Sequence, residues 1–206
     1  MGDTGRGLEN SVVGTPLDLF TFQYQMESAS SCQTAIDSAE RDRRWFTSLT
    51  GENEVVEAYR DSQQLDFAAW CVPSEHAEIF SFVENCLAHY LNEVPCANNF
   101  PAFSIQERYN VLKYKPGQGY HAAHHDYMPG NPLAESRHLT CVVFLNTVEE
   151  GGELEFTQQS IQVRPVEGRT VIFPSGWTHT HRVLTPSEDR YVLQLWWSFN
   201  GGSFSG

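Results

Sequence analysis

From about Ser104 onward the chain consists of short β-type runs separated by turn residues, and this pattern constrains the fold more than any other feature. Glycines separate the runs at positions 117, 119, 130, 151, 152, 168 and 176. We predict strands over 106–115, 138–146, 154–157, 160–165, 169–173 and 190–199. Short strands at this spacing favour a β-sandwich or a jelly-roll barrel.

The residues before this region have a helical character. The segment 30–49 is rich in helix formers and ends before a Thr-Gly pair, so it predicts one helix. A second helix is predicted from about Pro73 to Pro95, where apolar residues recur at three- and four-residue spacing. The intervening 55–70 reads as irregular or short strand. We therefore predict a mainly β fold with N-terminal helices packed outside one sheet. The single domain of 1–206 would comprise a loose tail over about 1–15, support helices over about 30–95 and a jelly-roll core over about 104–200.

The composition excludes several classes of protein. Apolar residues make up 40% and charged residues 19%, as in an ordinary globular protein. The net charge of −13 repels phosphate backbones, so we expect no nucleic-acid partner. No apolar run is long enough to span a bilayer and no signal peptide is recognisable, which predicts no membrane partner and a cytoplasmic location. The five cysteines lack a CxxC pair, which argues against a disulfide framework and against structural zinc.

Six of the eight histidines fall between residues 121 and 181. The first group contains His124, His125 and Asp126. If these residues end a strand, His124 and Asp126 project to one side and His125 faces away. An imidazole and a carboxylate so placed can take adjacent positions on one metal ion. A hydrogen-bonded His–Asp pair is the alternative interpretation of this tripeptide taken alone.

The second group is His179-Thr180-His181, which follows a turn that enters a strand. Alternation places His179 and His181 on the same side, so spacing alone does not choose between them. Either one would complete a set of two histidines and one carboxylate with open positions, which is typical of non-haem Fe(II) oxygenases.

Arg190 stands directly before Tyr191-Val192-Leu193, a run that we expect to be buried. A buried arginine requires an anionic partner, because unpaired burial of its charge is costly. Its planar guanidinium suits the distal carboxylate of a dicarboxylate cosubstrate. A structural ion pair with Asp189 or Glu188 is the alternative.

The run from Tyr109 to Phe199 resembles the prolyl 4-hydroxylase type of 2-oxoglutarate/Fe(II)-dependent dioxygenases. The first matching segments are YKPGQGY at 114–120 and the HHD tripeptide that ends at Asp126. FLNTVEEGGELEF at 144–156 is the most specific segment. His181-Arg182-Val183 followed by Arg190 resembles the family's last motif, and the interval of nine positions selects His181 rather than His179.

The resemblance implies roles for individual residues. His124, Asp126 and His181 would bind iron, and Arg190 would pair with the C5 carboxylate of 2-oxoglutarate. Phe144 stands where hypoxia-type relatives place a tyrosine that helps to hold this carboxylate, so another hydroxyl, that of Tyr114 or Thr180, would have to replace it. The remaining implied positions are Trp196, lining the pocket or purely structural, and three candidate substrate contacts, namely Tyr120, Tyr127 and His179. For His179 a partner of the metal ligands and an ordinary buried histidine are equally open.

The resemblance also implies a double-stranded β-helix (cupin-like) core and a hydroxylase that uses Fe(II), 2-oxoglutarate and O2, with ascorbate as a candidate reductant. The substrate would be a peptide or a small molecule, with a peptidyl or free proline-type amino acid favoured. The alternatives are a 2-oxoglutarate oxygenase of other small molecules, a cupin-like metalloenzyme that does not use 2-oxoglutarate, and a non-catalytic binding module. The oligomeric state is not readable from the sequence.

Overall fold

Two antiparallel sheets face each other and form the β core of the chain. The computed structural model describes residues 12–27, 30–49, 55–99, 101–132 and 134–200. The strands of the larger sheet are β1 (Thr15–Pro16), β2 (Phe22–Gln25), β3 (Phe46–Thr47), β5 (Gln63–Phe67), β6 (Phe103–Ser104), β7 (Tyr109–Tyr114), β9 (Arg137–Phe144), β12 (Arg169–Pro174) and β14 (Arg190–Phe199). Those of the smaller sheet are β4 (Arg60–Asp61), β8 (Gly119–His124), β10 (Leu154–Phe156), β11 (Ile161–Val163) and β13 (His181–Val183). The larger sheet has the strand order β1-β2-β12-β9-β14-β7-β5-β3, with β6 pairing the end of β14. The smaller sheet has the order β11-β10-β13-β8-β4.

The core has two layers because side chains alternate across the larger sheet. On β14, Val192 points into the space between the sheets and packs with residues of both sheets, such as Phe144 and Phe156. Its neighbours Leu193 and Leu195 point the other way, into the layer that contacts the helices. Each such side chain contributes roughly 1.5–3 kcal/mol when it is fully buried. The two layers therefore fix β14 from both faces and with it the position of Arg190.

Two helices, α1 (Ser30–Arg41) and α2 (Ala77–Glu93), cover the outer face of the larger sheet. The helix α2 forms because Ile79, Phe80 and Val83 recur on one face and are buried. It begins after a 3₁₀ turn that follows Pro73, and its end coincides with the proline at position 95. Within the part of the chain that the structure describes, no helix is long and apolar enough to cross a membrane.

The prediction of a mainly β fold with N-terminal helices and a jelly-roll core is confirmed. The second helix lies where the periodicity placed it. The predicted strands are present, most of them shorter by one or more residues at an end.

The prediction of one continuous helix over 30–49 is wrong in its second half, because α1 ends at Arg41. The Asp42 carboxylate accepts hydrogen bonds from the backbone and side chain of Arg44, which turns the chain. The indole of Trp45 then donates to the carbonyl of Ala39 near the helix end. The following residues pair with β5 as a short strand, so tertiary pairing overrides local helix propensity.

The stretch 55–70, expected to be irregular or short strand, contains the short strands β4 and β5. Together with β3, these strands extend both sheets. The expected loose tail ends earlier, because Thr15 already pairs with Gln23 of β2, whereas residues 1–11 lie outside the described part of the chain.

Candidate metal centre and cosubstrate pocket

Three ligand atoms converge between the two sheets. His124 ends β8, Asp126 follows two residues later, and His181 begins β13, where it is the direct register partner of His124. One ligand atom from each residue lies within 4.8 Å of the others. Both Nε2 atoms face the same Asp126 oxygen, Oδ1, at 3.8 Å from His124 and 4.0 Å from His181. The three side chains can thus hold one metal ion on one face, as the sequence predicts.

Backbone carbonyls fix the tautomers of both histidines. Nδ1 of His124 lies 3.1 Å from the carbonyl oxygen of Ala122, and Nδ1 of His181 lies 3.0 Å from that of His179. A carbonyl only accepts, so Nδ1 carries the proton and Nε2 keeps its lone pair for a metal. Burial, aided by the neighbouring His181, holds the pKa of His124 well below its usual value, which keeps this ring neutral.

The carboxylate of Asp126 is held in place on its other oxygen. Oδ2 accepts a 2.8 Å hydrogen bond from the Thr140 hydroxyl and a 3.0 Å hydrogen bond from the Trp196 indole. Burial acts to raise the pKa of Asp126, but the histidines, Arg137 and the indole outweigh it and hold the pKa below its usual value. The carboxylate is therefore ionised, with Oδ1 directed at the two Nε2 atoms.

Sequence reasoning missed most of this support. Thr140 also contacts the Ser175 hydroxyl at 2.8 Å, and the Ser175 carbonyl accepts the backbone N–H of Asp126 at 3.1 Å. Arg137 donates to the Asp126 carbonyl at 3.2 Å and lies 3.7 Å over the ring of Trp196. No local motif marks these residues, since register between distant strands brings them to Asp126. Trp196 was predicted to line the pocket; in the structure its indole N–H donates to the Asp126 carboxylate.

Arg190 lies at the other end of the space between the sheets, with 1% of its surface exposed. Its Nε donates to the Gly152 carbonyl at 2.7 Å, whereas one terminal nitrogen is buried without a partner among the described residues. The guanidinium lies between the rings of Tyr114 and Phe144, at 5.0 and 5.1 Å from their centroids. Burial lowers the pKa of Arg190 to about 10, which shows how poorly the charge is compensated.

The alternative ion pairs for Arg190 are not formed. Asp189 contacts Lys113 at 3.2 Å, and Glu188 accepts the backbone N–H of Glu149. Within the described ranges, no carboxylate lies within ion-pair distance of Arg190. A buried guanidinium with an unpaired nitrogen is a site for an external anion.

The glycine pair before Leu154 shapes this site. Gly151 and Gly152 both have positive φ, at 75° and 71°. A Cβ on Gly151 would meet the Thr185 carbonyl oxygen at 2.1 Å, and one on Gly152 would meet Cδ of Arg190 at 3.1 Å. Only glycine lets this turn approach so closely and present the Gly152 carbonyl to Arg190.

A pocket of about 20 Å³ connects two of the metal ligands, His124 and His181, to Arg190. Its polar wall contains Tyr114, His124, His181 and Arg190, and its remaining wall is largely apolar: Leu112, Val142, Leu154, Val183 and Val192. An anion binder at one end and metal ligands at the other suit a dicarboxylate that also chelates a metal. The donor set of two imidazoles, one carboxylate and open positions suits Fe(II). The residues present therefore fit both 2-oxoglutarate and iron.

The two hydroxyls expected to compensate for Phe144, those of Tyr114 and Thr180, lie in different surroundings. Tyr114 lines the pocket beside Arg190, and its hydroxyl makes no hydrogen bond within the described chain. The Thr180 hydroxyl instead donates to the Trp177 carbonyl at 2.9 Å, and Thr180 does not line the pocket. Of the two candidates, Tyr114 thus lies beside Arg190, and its role as the compensating donor stays a prediction.

The three candidate substrate residues, Tyr120, Tyr127 and His179, lie in different surroundings in the structure. Tyr120 stacks on His124 with ring centroids 3.5 Å apart and lines the pocket. Tyr127 is 37% exposed and lines no pocket around the triad. His179 is buried at the end of a 3₁₀ turn, where its Nε2 lies 3.7 Å from Asp18. Strand alternation does not apply to His179, because this residue lies in a 3₁₀ turn; its backbone carbonyl accepts from Nδ1 of His181.

A second cleft opens on the outer side of the triad, with a volume of about 340 Å³. His124 and Asp126 line it together with Trp196 and residues of β4, β5 and β7. The metal centre therefore lies between this cleft and the Arg190 pocket, because His124 belongs to the wall of both.

Comparisons with known proteins agree with this geometry. Residues 109–198 match the family model of the 2OG-Fe(II) oxygenase superfamily. Prolyl 4-hydroxylase 13 of Arabidopsis thaliana is 25% identical over 167 residues, which covers 70% of this chain. The chain spans only 57% of the length of that relative.

Solved structures of prolyl hydroxylases share the fold. The viral collagen prolyl hydroxylase of Paramecium bursaria Chlorella virus-1, solved with 2OG, has a TM-score of 0.64 at 20% identity, covering 88% of this chain and 97% of that one. A Pseudomonas putida prolyl-4-hydroxylase has a TM-score of 0.65 at 19% identity, covering 88% and 93%. A Trichoplax adhaerens prolyl hydroxylase, solved with a hypoxia inducible factor peptide fragment, has a TM-score of 0.63 at 18% identity, covering 82% and 77%. The family match over residues 109–198, the shared fold and the converging triad make this chain similar to the 2-oxoglutarate/Fe(II) oxygenases of the prolyl 4-hydroxylase type.

Proposed function

We propose that this chain is a 2-oxoglutarate- and Fe(II)-dependent hydroxylase of the prolyl 4-hydroxylase kind that acts on a peptidyl or free amino acid. The observation that carries the proposal is the placement of the buried, unpaired Arg190 across one pocket from His124, Asp126 and His181. When bound, Fe(II) and 2-oxoglutarate supply the oxidative decarboxylation that activates O2 for insertion into a C–H bond.

The chain's own residues orient and shield this chemistry. His124, Asp126 and His181 would hold the metal through two Nε2 atoms and one carboxylate oxygen. The hydrogen bonds from Thr140 and Trp196 hold the Asp126 carboxylate in its rotamer, so that the metal does not have to organise it.

Arg190 would bind the distal carboxylate of the cosubstrate, with the Tyr114 hydroxyl as a second donor. The apolar wall of the pocket excludes water around this pair, which strengthens the contact between guanidinium and carboxylate. The need to neutralise a buried charge also favours the dicarboxylate over a cosubstrate without a second carboxyl group. This distinguishes the proposal from a cupin-like metalloenzyme, which has no use for an arginine here.

The substrate would enter through the outer cleft, since the cosubstrate would fill the inner pocket. A volume of about 340 Å³ is at the lower end for small-molecule sites and suits one amino-acid side chain or a short peptide segment. Tyr120, which borders both spaces and stacks on His124, would lie at the boundary between cosubstrate and substrate.

A cytoplasmic location is part of the proposal and is supported by the five free cysteines, which suit a reducing compartment.

The test is succinate formation from 2-oxoglutarate by protein loaded anaerobically with Fe(II) and then exposed to O2. Proline-containing peptides and free proline are added in separate arms, alongside Asp126→Ala and Arg190→Ala. Asp37→Ala and Arg164→Ala, at exposed positions, are the matched controls. We expect turnover that both site variants lose and both controls keep. Absence of succinate in every arm together with absence of Fe(II) binding would refute the proposal in favour of a binding module.

A further inference from the structure

The outer cleft carries charged groups that the cofactor chemistry does not use. Besides the metal ligands, its charged lining residues are Arg60, Asp66 and Arg137. A substrate in the cleft meets these groups before it reaches the metal. The substrate charge that the cleft accepts therefore depends on which of these three groups already has a partner of opposite charge.

Both arginines are engaged by the protein. Arg60 donates to the Ser62 hydroxyl, the Leu49 carbonyl and the Gln64 amide oxygen at 3.1–3.2 Å. Arg137 forms a two-point ion pair with Glu107, at 2.8 and 2.5 Å. Their guanidinium groups also lie over the rings of cleft residues. Arg137 is thus neutralised by a carboxylate, whereas the hydrogen bonds of Arg60 go to neutral oxygens.

Asp66 differs from Arg137 because it forms no ion pair with any described residue; Gln64, which donates to Asp66, accepts from Arg60. Its Oδ1 accepts the side-chain amides of Gln64 at 2.6 Å and Asn110 at 2.7 Å. Both donors use the same oxygen, so Oδ2 has no hydrogen-bond partner among the described residues. No lysine or arginine within the described ranges lies within ion-pair distance. The half-buried carboxylate is thus positioned by two amides with one oxygen unused.

The register of the larger sheet aligns Asp66 with the metal centre. Asp66 pairs with Asn110 on β7, and Asn110 pairs with Gln194 on β14, so the three side chains form a polar row across three strands. All three line the cleft, and Gln194 also borders the Arg190 pocket. Two strand spacings of about 4.8 Å separate Asp66 from Gln194. Trp196, which holds Asp126, stands two residues after Gln194 and hence on the same face.

We infer that Asp66 is the specificity-determining residue of the substrate cleft and that it binds an ammonium group of the substrate while the carbon to be hydroxylated lies at the metal. This rests on the proposed hydroxylase function and narrows its substrate class to an amino acid or peptide with a positive charge near the reacting residue. The ammonium can be the α-amino group of a free amino acid or the side chain of a neighbouring lysine. The side-chain amides of Gln194 and Asn110 would form hydrogen bonds with the polar backbone of the substrate, between its ammonium group and the carbon to be hydroxylated.

The test is anaerobic calorimetric titration of the Fe(II)- and 2-oxoglutarate-loaded protein, which measures binding without turnover. Two matched probe pairs distinguish the sources of the ammonium: prolinamide against N-acetylprolinamide, and acetyl-Pro-Lys-amide against acetyl-Pro-norleucine-amide. The variant Asp66→Asn keeps an Oδ1 acceptor for both amides and replaces the unused Oδ2 of the charged carboxylate with a neutral NH2 group. Asp37→Asn, on the exposed face of α1, removes the same charge far from the cleft.

We expect the charged member of at least one pair to bind about tenfold or more tightly than its neutral partner, since hydrogen bonds between charged groups are the strong ones. Asp66→Asn should abolish this preference and Asp37→Asn should keep it. Equal binding within both pairs, no binding of either charged probe, or a preference that persists in Asp66→Asn would overturn the inference. Succinate formation by wild-type protein is scored separately, so that failure of the hydroxylase function is distinguishable from failure of the Asp66 assignment.

Discussion

Replacing Arg190 with methionine should leave the stability of the 2-oxoglutarate-free protein nearly unchanged. Burial lowers the pKa of Arg190 from 12.5 to about 10, and at 1.36 kcal/mol per pKa unit the charged form costs about 3 kcal/mol in the folded state. Methionine removes this cost and fills the space with a flexible apolar chain. It also leaves the Gly152 carbonyl unpaired, at about 1–3 kcal/mol, and removes the cation–π contacts, at about 0.5–2 kcal/mol. These terms cancel to within about 2 kcal/mol.

The same variant should lose all stabilisation by the cosubstrate. A ligand at one hundred times its Kd stabilises the folded state by about 2.7 kcal/mol, so 2-oxoglutarate should shift the unfolding midpoint of the metal-loaded wild-type protein clearly. Urea unfolding with and without 2-oxoglutarate measures both quantities for wild type, Arg190→Met and the exposed control Arg164→Met. A ligand-free Arg190→Met that is destabilised by more than about 4 kcal/mol, or one that 2-oxoglutarate still stabilises fully, would refute the reasoning.

Three further outcomes follow from individual contacts. Thr140→Val removes one hydrogen bond to Asp126 at nearly constant volume and should weaken metal binding about 10- to 100-fold in a competition titration; unchanged affinity would contradict the positioning role. Gly151→Ala forces a Cβ against the Thr185 carbonyl at positive φ and should lower the free energy of unfolding by at least about 2 kcal/mol in urea, whereas a neutral effect would show that the turn relaxes. Burial lowers the pKa of His76, so the unfolded state binds its proton more tightly; the contribution of the neutral ring to stability is complete above about pH 6.5 and is lost as the pH falls towards the folded-state pKa. His76→Gln should therefore flatten the decline of the free energy of unfolding in this pH range, by up to about 1.4 kcal/mol per pH unit. An unchanged slope would assign the decline to other groups.

The sequence by itself determined the fold class and pointed to the groups that are proposed to carry the chemistry. Strand alternation predicts which side of β14 faces inward, because its period of two does not depend on the neighbours. The spacing of His124 and Asp126, and the placement of Arg190 before a buried run, identify side chains whose charge needs a partner. Such signals are local or depend on chemical necessity, so they can be read from a linear chain.

Only the tertiary structure decided what supports these groups. Thr140 and Ser175 reach Asp126 because antiparallel register brings distant strands together, and no local pattern encodes that register. The 3₁₀ turn before His181 removes His179 from the strand face, which alternation alone could not foresee. Asp66 reaches the cleft in the same way, through pairing of β5 with β7 and β7 with β14. Local spacing sets which way a side chain points, but pairing between remote strands decides what it meets.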